Sequence, residues 1–448
     1  MVEAFKEKIG KGEVMVEELK RKIINRQVKI CVIGLGYVGL PLALEFAKEG
    51  FEVIGLDIDE ERVKKINRGV SYILDISSKD LKEQVNEKRL KASSKEDILK
   101  KVDIVIICVP TPLRKTREPD ISYIIDATEK VSRYLKKGQI IILESTTYPG
   151  TTEEVVLPML EKTGLKGGKD FFLAFSPERI DPGNTQYTTR NIPKVVGGIN
   201  PESTDLVYTL YHQIVEEVIP VSSTKVAEMV KLLENTFRAV NIGLINEFAL
   251  LCDKLNVDVW EVISAAKTKP FGFMAFYPGP GIGGHCIPSD PIYLSWKARI
   301  HGFEARFIEL AQQINAYMPH YVVDKTILAL NEQGKPLKDA KILIIGVTYK
   351  RDVIDTRESP ALEIIKLLEE RKAKVSYHDP YIPQLILEGK TYQSIPLSAE
   401  ALRENDCVIV VTDHLCLDYD LIAEEAKLII DTRNALSPYK KNKKIITI

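Results

Sequence analysis

No stretch of this chain stays apolar for the length of a membrane-crossing helix, so no transmembrane role is expected. Its Lys/Glu-rich beginning lacks the apolar core of an export signal. An excess of one charge is also missing: 62 Lys and Arg stand against 63 Asp and Glu, which removes the polycationic signature of a nucleic-acid binder. The six cysteines, Cys31, Cys108, Cys252, Cys286, Cys407 and Cys416, include no CxxC pair, and Cys31, Cys108 and Cys407 lie inside apolar, strand-like runs. Neither a structural zinc nor a disulfide framework is read from them. These absences leave a reduced, cytoplasmic, globular chain, and 448 residues suffice for two to four domains.

What is present begins after a polar, helical extension over 1–27, which reads as an amphipathic arm for the domain that follows. Val28 to Ile33 is a short apolar run ending at Gly34, and Gly34, Gly36 and Gly39 stand in GxGxxG spacing before helical sequence. A second strand, Phe51 to Leu56, ends at Asp57, with Arg62 five residues on. This is a dinucleotide fingerprint in its required strand–turn–helix context. One glycine makes the tight turn, one admits the pyrophosphate to the backbone, and one lets helix and strand pack closely. The helix N-terminus attracts the phosphates. Asp57 would accept from the ribose hydroxyls and repel a 2′-phosphate, which favours NAD over NADP. Arg62 has two readings, stacking on adenine or facing solvent.

Strands and helices keep alternating. Asp103 to Val109 ends in VPTPL, Gln139 to Leu143 ends in ESTTYPGTT, and Phe171 to Phe175 leads into SPERIDPGN. Ligands of open parallel sheets bind at the carboxyl ends of strands. Thr111, Thr146 and Thr147 are therefore placed for a cofactor or substrate, or else for turn formation and capping. Glu178 and Arg179 reach the same rim, where the competing reading is a surface ion pair.

From about Ser222 the pattern becomes helical, and the helix can run to about Leu255, roughly 50 Å at 1.5 Å per residue. Ser222, Ser223 or Thr224 can cap it. Lys231, Asn235 and Arg238 fall at i, i+4 and i+7 on one side. They face a substrate, or they pair with Glu228, Glu234 or Glu247. The loop PGPGIGGHCIPSD, Pro278 to Asp290, follows. Its glycines allow close backbone approach to a ligand, and Cys286 at its end is a candidate nucleophile with Asp290 four residues on. The competing reading is an inert, buried cysteine.

Helical sequence continues to about Glu332, and Gln333 to Lys338 reads as a linker. Strand–helix alternation then restarts with Lys341 to Ile345, followed by GVTYKRDVIDTRESP, a helix near Ser359–Pro360, and strands at Ala373 to Tyr377, Cys407 to Val411 and Leu428 to Ile430. Lys350, Arg351, Arg357 and Arg433 gather at or after strand ends, where cations suit a diphosphate. The expected fold is α/β: two Rossmann-like, doubly wound parallel-sheet domains joined by a long central helix in a helical middle domain. The expected domains are 28–205 for the dinucleotide, 206–332 for the helical middle with the Cys286 loop, and 333–448 for the second sheet.

The motifs GLGYVGLPLA, VPTPL, ESTTYPGTT, SPER, EMVKLLENTFRAVNI, GPGIGGHCIPSDP and GVTYKRDVIDTRESP stand in this order in the UDP-glucose/GDP-mannose dehydrogenase family, which the chain resembles from about residue 28 to its end. Lys269 to Ala298 looks most like the branch that oxidises UDP-N-acetylglucosamine at C6, with the UDP-N-acetylmannosamine branch close by. The resemblance implies two successive NAD-dependent oxidations of a C6 alcohol to a carboxylate, for surface polysaccharide or glycan precursor synthesis. It also implies a UDP-binding last domain and a homodimer or higher homo-oligomer through the central helix. It makes Cys286 the nucleophile, flanked by Lys231, Asn235 and Asp290, with Thr146 and Glu178 completing the site. Gly34, Gly36, Gly39, Tyr37, Val38, Asp57, Arg62, Thr111 and Arg357 fall to NAD. Arg179, Lys231, Asn235, Arg238, Gly283, Lys350 and Arg433 fall to the UDP-sugar.

Two departures stand out. A second glutamate four residues after Glu178, found in UDP-glucose dehydrogenases, is Pro182 here, which argues against UDP-glucose. Pro149 is displaced by one residue, so Thr147 is an alternative to Thr146. In the implied chemistry Lys231, or a water held by Asp290, takes the alcohol proton. Cys286 captures the aldehyde as a thiohemiacetal that is oxidised to a thioester, and Glu178 or Asp290 activates the hydrolytic water. No metal is needed. Two other readings compete: a nucleotide-binding protein without catalysis, and a two-electron dehydrogenase of the 3-hydroxyacid or 6-phosphogluconate type. Neither has a use for Cys286.

Overall fold

A computed structural model of the chain describes residues 11–73, 76–114, 116–180, 186–439, 442 and 444–448, with side chains from residue 14. The chain forms two compact units. The first is Met1–Glu234 with Ile292–Ile300, and the second is Asn235–Pro291 with His301–Ile448.

The first unit is built on eight strands: β1 (Lys29–Ile33), β2 (Glu52–Leu56), β3 (Leu90–Ser93), β4 (Ile104–Ile107), β5 (Ile140–Leu143), β6 (Phe172–Phe175), β7 (Lys194–Gly198) and β8 (Val218–Pro220). Their order is β3-β2-β1-β4-β5-β6-β7-β8. The first six run parallel in the doubly wound order, with the switch point between β1 and β4. β7 runs antiparallel to β6, pairing Ala174 with Gly198 and Phe175 with Gly197. The central strands are apolar throughout because both faces are covered. Ile30, Val32, Ile104 and Ile106 enter one core, and Cys31, Ile33, Val105 and Ile107 enter the other. Each such side chain contributes roughly 1.5–3 kcal/mol on burial.

The extension over 1–27 is helical at Lys11–Ile24, and Val16, Leu19 and Ile23 join the first core beside Leu206, Leu210 and Tyr211. Those last three belong to the helix Pro201–Tyr211, so the expected domain boundary at 205 falls inside a helix whose apolar face serves the first sheet. β8, three residues long and buried only at Val218, is too short to read from sequence.

The long helix spans Thr224–Leu255. Among the three cap candidates Ser223 accepts from the Val226 N–H at 3.3 Å. Asn256 ends the helix at φ +54°, and the Val257 N–H donates to the Cys252 carbonyl at 2.9 Å, a closing bond of the Schellman type.

The second unit holds β9 (Lys341–Ile345), β10 (Lys374–His378), β11 (Gln384–Leu387), β12 (Lys390–Gln393), β13 (Cys407–Val410), β14 (Ile429–Asp431) and β15 (Ile445–Thr447). The five-stranded sheet is parallel in the order β10-β9-β13-β14-β15, with its switch point between β9 and β13. β11 and β12 form a separate hairpin. The helix Arg306–Glu332 packs closely on the long helix, where a Cβ at Gly243 would stand 3.0 Å from Ala311. No helix among the described residues is long and apolar enough to cross a membrane.

Candidate active site

In the first unit each fingerprint glycine has its own physical reason. Gly34 sits at φ +89°, and a Cβ there would lie 2.4 Å from the Cys108 carbonyl at the end of β4. A Cβ on Gly39 would lie 1.9 Å from the Gly34 carbonyl, so this glycine lets the helix Gly39–Lys48 meet the turn. A Cβ on Gly36 would meet no atom within 4 Å. That direction is open, as backbone approach by a pyrophosphate requires. The helix has Val38 at its N-cap with no side-chain cap; the Leu40 N–H donates to the Gly36 carbonyl at 3.2 Å and Pro41 has no N–H, and the helix end faces an incoming anion with its positive pole. Tyr37 is exposed beside it.

Asp57 is buried at the end of β2, with one carboxylate oxygen accepting from the Leu35 N–H at 2.8 Å and the other from Asp59 N–H at 2.9 Å. Arg62 lies 3.6 Å from Asp57 and 3.4 Å from Asp59, and its guanidinium lies 5.8 Å from the Tyr72 ring centroid. Arg62 is thus both exposed to solvent and held beside the Asp57 carboxylate. Thr111 is buried, and its carbonyl accepts from the Tyr293 hydroxyl at 3.0 Å. These residues fit a dinucleotide.

The loop after β5 is drawn to the long helix. Glu228, expected as an ion-pair partner within that helix, instead accepts from the N–H groups of Gly150 and Thr152 at 2.5 and 2.9 Å and from the Thr152 hydroxyl at 2.7 Å. Burial pushes Glu228 up to about 7, against the pull of those donors. Thr147 is buried and donates to Thr151 at 2.5 Å, whereas Thr146 is half-buried. Lys231, one turn beyond Glu228, is buried.

Glu178 and Arg179 do not pair with each other. Arg179 binds Glu234 through Nε and Nη2 and donates from Nη1 to the Pro193 carbonyl at 2.6 Å. Glu178 accepts from the Ile180 N–H and has Lys194 Nζ 3.9 Å away. Lys194 pairs at closer range with buried Glu144, which also accepts from the Tyr211 hydroxyl. Pro182 lies outside the described residues.

In the second unit Cys286 is exposed and opens the helix Cys286–Ile300. A thiolate at a helix N-terminus is stabilised by the free N–H groups and the macrodipole. Asp290, one turn on, is buried and accepts from the Asn235 amide at 2.6 Å. Arg238 is exposed on the long helix. The glycine run is packed against the loops of the second sheet. A Cβ on Gly279 would stand 2.7 Å from the Arg433 guanidinium. One on Gly283 would stand 2.7 Å from the Glu358 carbonyl, and one on Gly284 2.8 Å from the Tyr349 ring. The Gly284 N–H donates to the Arg357 carbonyl at 3.0 Å.

The cations of these loops divide. Arg351 pairs with Asp413, and Arg357 grips Asp355 through Nε and Nη2. Arg433 donates to the Val411 carbonyl at 2.9 Å. Loss of water first, and Arg351 second, lower Arg433 to about 10. Arg433 thus lies close enough to Arg351 to feel its charge, and such cations suit an anion. Sequence reasoning missed Lys194 and Tyr211, which carry no motif, and passed over Glu144 at the head of ESTTYPGTT. It also missed buried His414, which accepts from the Asp352 N–H at 2.9 Å and lies 3.1 Å from Asp379, bracing the loop that bears Lys350.

Comparison with known proteins follows this geometry. The family models of the UDP-glucose/GDP-mannose dehydrogenases match in sequence: the NAD binding domain at residues 28–215, the central domain at 225–317 and the UDP binding domain at 343–438. The chain is 39% identical to the UDP-N-acetyl-D-glucosamine 6-dehydrogenase of Pseudomonas aeruginosa, over 80% of this chain and 84% of that one. It is 37% identical to the UDP-N-acetyl-D-mannosamine dehydrogenase of Pyrococcus horikoshii, over 91% and 96%. The solved structure of a UDP-D-ManNAc dehydrogenase from Pyrococcus horikoshii superposes with a TM-score of 0.83 at 36% identity, over 91% of this chain and 96% of that one. An NDP-N-acetyl-D-galactosaminuronic acid dehydrogenase from Methanosarcina mazei does so with 0.81 at 30%, over 97% of each. With a glycine turn shaped for a dinucleotide, a buried acid at the second strand and a cation-lined second sheet, the chain belongs to the UDP-glucose/GDP-mannose dehydrogenase family and is an NAD-dependent oxidoreductase acting on CH–OH groups.

Proposed function

We propose that the chain oxidises the C6 alcohol of a UDP-N-acetylhexosamine to the uronic acid in two NAD-dependent steps, with Cys286 as the covalent nucleophile. The observation that carries this reading is the exposed Cys286 thiol at a helix N-terminus, one turn from buried Asp290 and its half-buried partner Asn235. A two-electron dehydrogenase needs an alcohol base and a hydride acceptor but no thiol. A four-electron one must hold the aldehyde, and a thiolate does so.

NAD, held through Gly34, Gly36, Gly39, Tyr37, Val38, Asp57, Arg62 and Thr111, supplies the hydride acceptor. Arg357 is a further NAD contact in this reading, released from Asp355 when it serves. The chain's own groups do the rest. Lys231 takes the alcohol proton as the first hydride leaves. Cys286 thiolate adds to the aldehyde carbon as a thiohemiacetal, and loss of the second hydride leaves a thioester. Asn235 and Lys231 donate to the oxygen as it gains charge. Thr146, with its neighbour Thr147 tied to Thr151, orders water near the sugar. Glu178 takes a proton from the water that attacks the thioester. The C–O bond forms, the C–S bond breaks, and Cys286 leaves as the thiolate. Lys350 and Arg433 take the diphosphate, with Gly283 close to the sugar and Arg179 and Arg238 outside it.

UDP-N-acetylglucosamine is the favoured substrate, supported by the stretch Lys269 to Ala298 and by the Pseudomonas aeruginosa relative. The mannosamine epimer is the second reading, supported by relatives of 37–38% identity over 91% of this chain. Self-association is read from Phe237, Leu244, Phe248, Leu251 and Leu255, which form one exposed apolar stripe along the long helix. The test of the reaction is NADH release from UDP-linked N-acetylglucosamine, N-acetylmannosamine, N-acetylgalactosamine and glucose. Two NADH per N-acetylglucosamine substrate consumed is the expected result. One NADH per substrate, or activity with UDP-glucose alone, overturns it.

A further inference from the structure

β7 is the strand that reverses direction next to β6, and the reversal carries a lysine to the rim of the first sheet. Parallel strands deliver their carboxyl ends to that rim: Cys108 after β4, Glu144 after β5 and Glu178 after β6. Lys194 is the first residue of β7, so an amino-terminal side chain arrives among carboxyl-terminal ones. It is buried and bonded to Glu144, which is itself buried and takes a second bond from Tyr211 at the end of the helix Pro201–Tyr211. Lys194 also lies 5.1 Å from the Tyr211 ring centroid. Its ammonium stands 3.9 Å from Glu178 Oε2, while Oε1 of Glu178 is held by the Ile180 N–H. Glu144 has two donors fixing it and is fully buried. Glu178, by contrast, has one oxygen tied to backbone and the other turned to Lys194.

We infer that Lys194 is a positioning residue for Glu178, fixed in place by Glu144 and Tyr211, and that it presents the Glu178 carboxylate to the water that hydrolyses the thioester. This rests on the reading of Glu178 given above. The titratable groups facing Lys194 are Glu144, Glu178, Tyr211 and Cys108. Without the ammonium the Glu178 carboxylate loses its orientation toward the hydrolytic water, so hydrolysis slows while oxidation does not, a signature that packing alone lacks.

Lys194→Met alone leaves Glu144 buried without its cation, so the decisive variant is Lys194→Met/Glu144→Gln, which removes both charges. Lys194→Arg is its companion. In the double variant, purified and shown folded by its thermal midpoint, steady-state kcat should fall about tenfold or more, with KM for NAD and UDP-sugar within roughly twofold. Quenched samples should show acyl-enzyme on Cys286 by intact mass, because oxidation outruns hydrolysis. Lys194→Arg, which keeps the cation beside Glu178, should turn over without that build-up. A folded double variant with no acyl-enzyme overturns the inference, as does a Lys194→Arg variant that accumulates it to the same extent. Glu178→Gln separates the two failures. If it blocks hydrolysis while the Lys194 variants do not, only the role of Lys194 is lost. If it turns over normally, the role of Glu178 is lost as well.

Discussion

Cys286 and Asp57 carry the predictions that belong to single residues. Serine at 286 is nearly isosteric with cysteine and not ionised at neutral pH, so Cys286→Ser should bind NAD and UDP as the wild type does. Steady turnover should fall by roughly two orders of magnitude or more, as measured by coupled NADH release and by calorimetric binding. Two NADH per substrate at near wild-type rate would return the thiol to a packing role. Asp57 holds the Leu35 and Asp59 N–H groups, and in the proposed reading it also accepts from the ribose. Asp57→Ala should therefore relax NAD over NADP preference by roughly tenfold or more and cost about 1–3 kcal/mol of stability, since the buried Leu35 donor loses its acceptor. Paired kcat/KM values and denaturant midpoints check both halves. An unchanged cofactor ratio would count against the ribose contact. Single residues were legible where a fixed spacing expresses a local need, as with the three glycines. Lys194 was not, because its place depends on the direction of a strand, which no spacing records. Arg179 and Glu178 sit side by side in sequence yet serve different partners, since adjacent side chains on an extended segment diverge.

The element that decides most is the long helix, and Glu228 is its tie to the loop after β5. Because burial raises Glu228 above its ordinary 4.5, its contribution to stability is fully present below about pH 4.5 and is lost as pH rises through about 7. The loss amounts to about 3 kcal/mol. Glu228→Gln keeps an acceptor and carries no charge, so it should flatten this slope. Thermal unfolding of both proteins between about pH 5 and about pH 8.5 measures it, and equal slopes would remove Glu228 as the source. The helix itself was legible from its length without proline, and its start and end agree with the expectation to within two residues. What Glu228 holds was not legible, since the partner loop is more than seventy residues away. The strands Lys341–Ile345 and Cys407–Val410 were read from continuous apolar runs, whereas β8, β15 and the β11–β12 hairpin are short or half-exposed and left no such trace.

At the scale of the whole molecule, two doubly wound sheets of different strand order occupy one chain, and both orders follow from where each sheet switches direction. The fold class was legible because buried parallel strands alternate with amphipathic helices; the expected boundary at 205 falls within the helix Pro201–Tyr211, whose apolar face covers the first sheet. The exposed stripe of the long helix supplies the prediction at this scale. Leu251→Asp with Phe248→Asp should convert an oligomer to monomer in sedimentation, since two charges in a shared apolar face each cost roughly 1–3 kcal/mol. A wild-type chain that sediments as a monomer would retire the stripe as an interface. The glycine run before Cys286 has a consequence of another kind. Its residues are small because Arg433, Tyr349 and Glu358 fill the space where side chains would go. The size allowed at 279, 283 and 284 is thus written in a loop some seventy to one hundred and fifty positions downstream, and a change in either loop alters what the other tolerates. In the proposed reading, the nucleophile's loop and the diphosphate's loops can change only together, as one unit of variation.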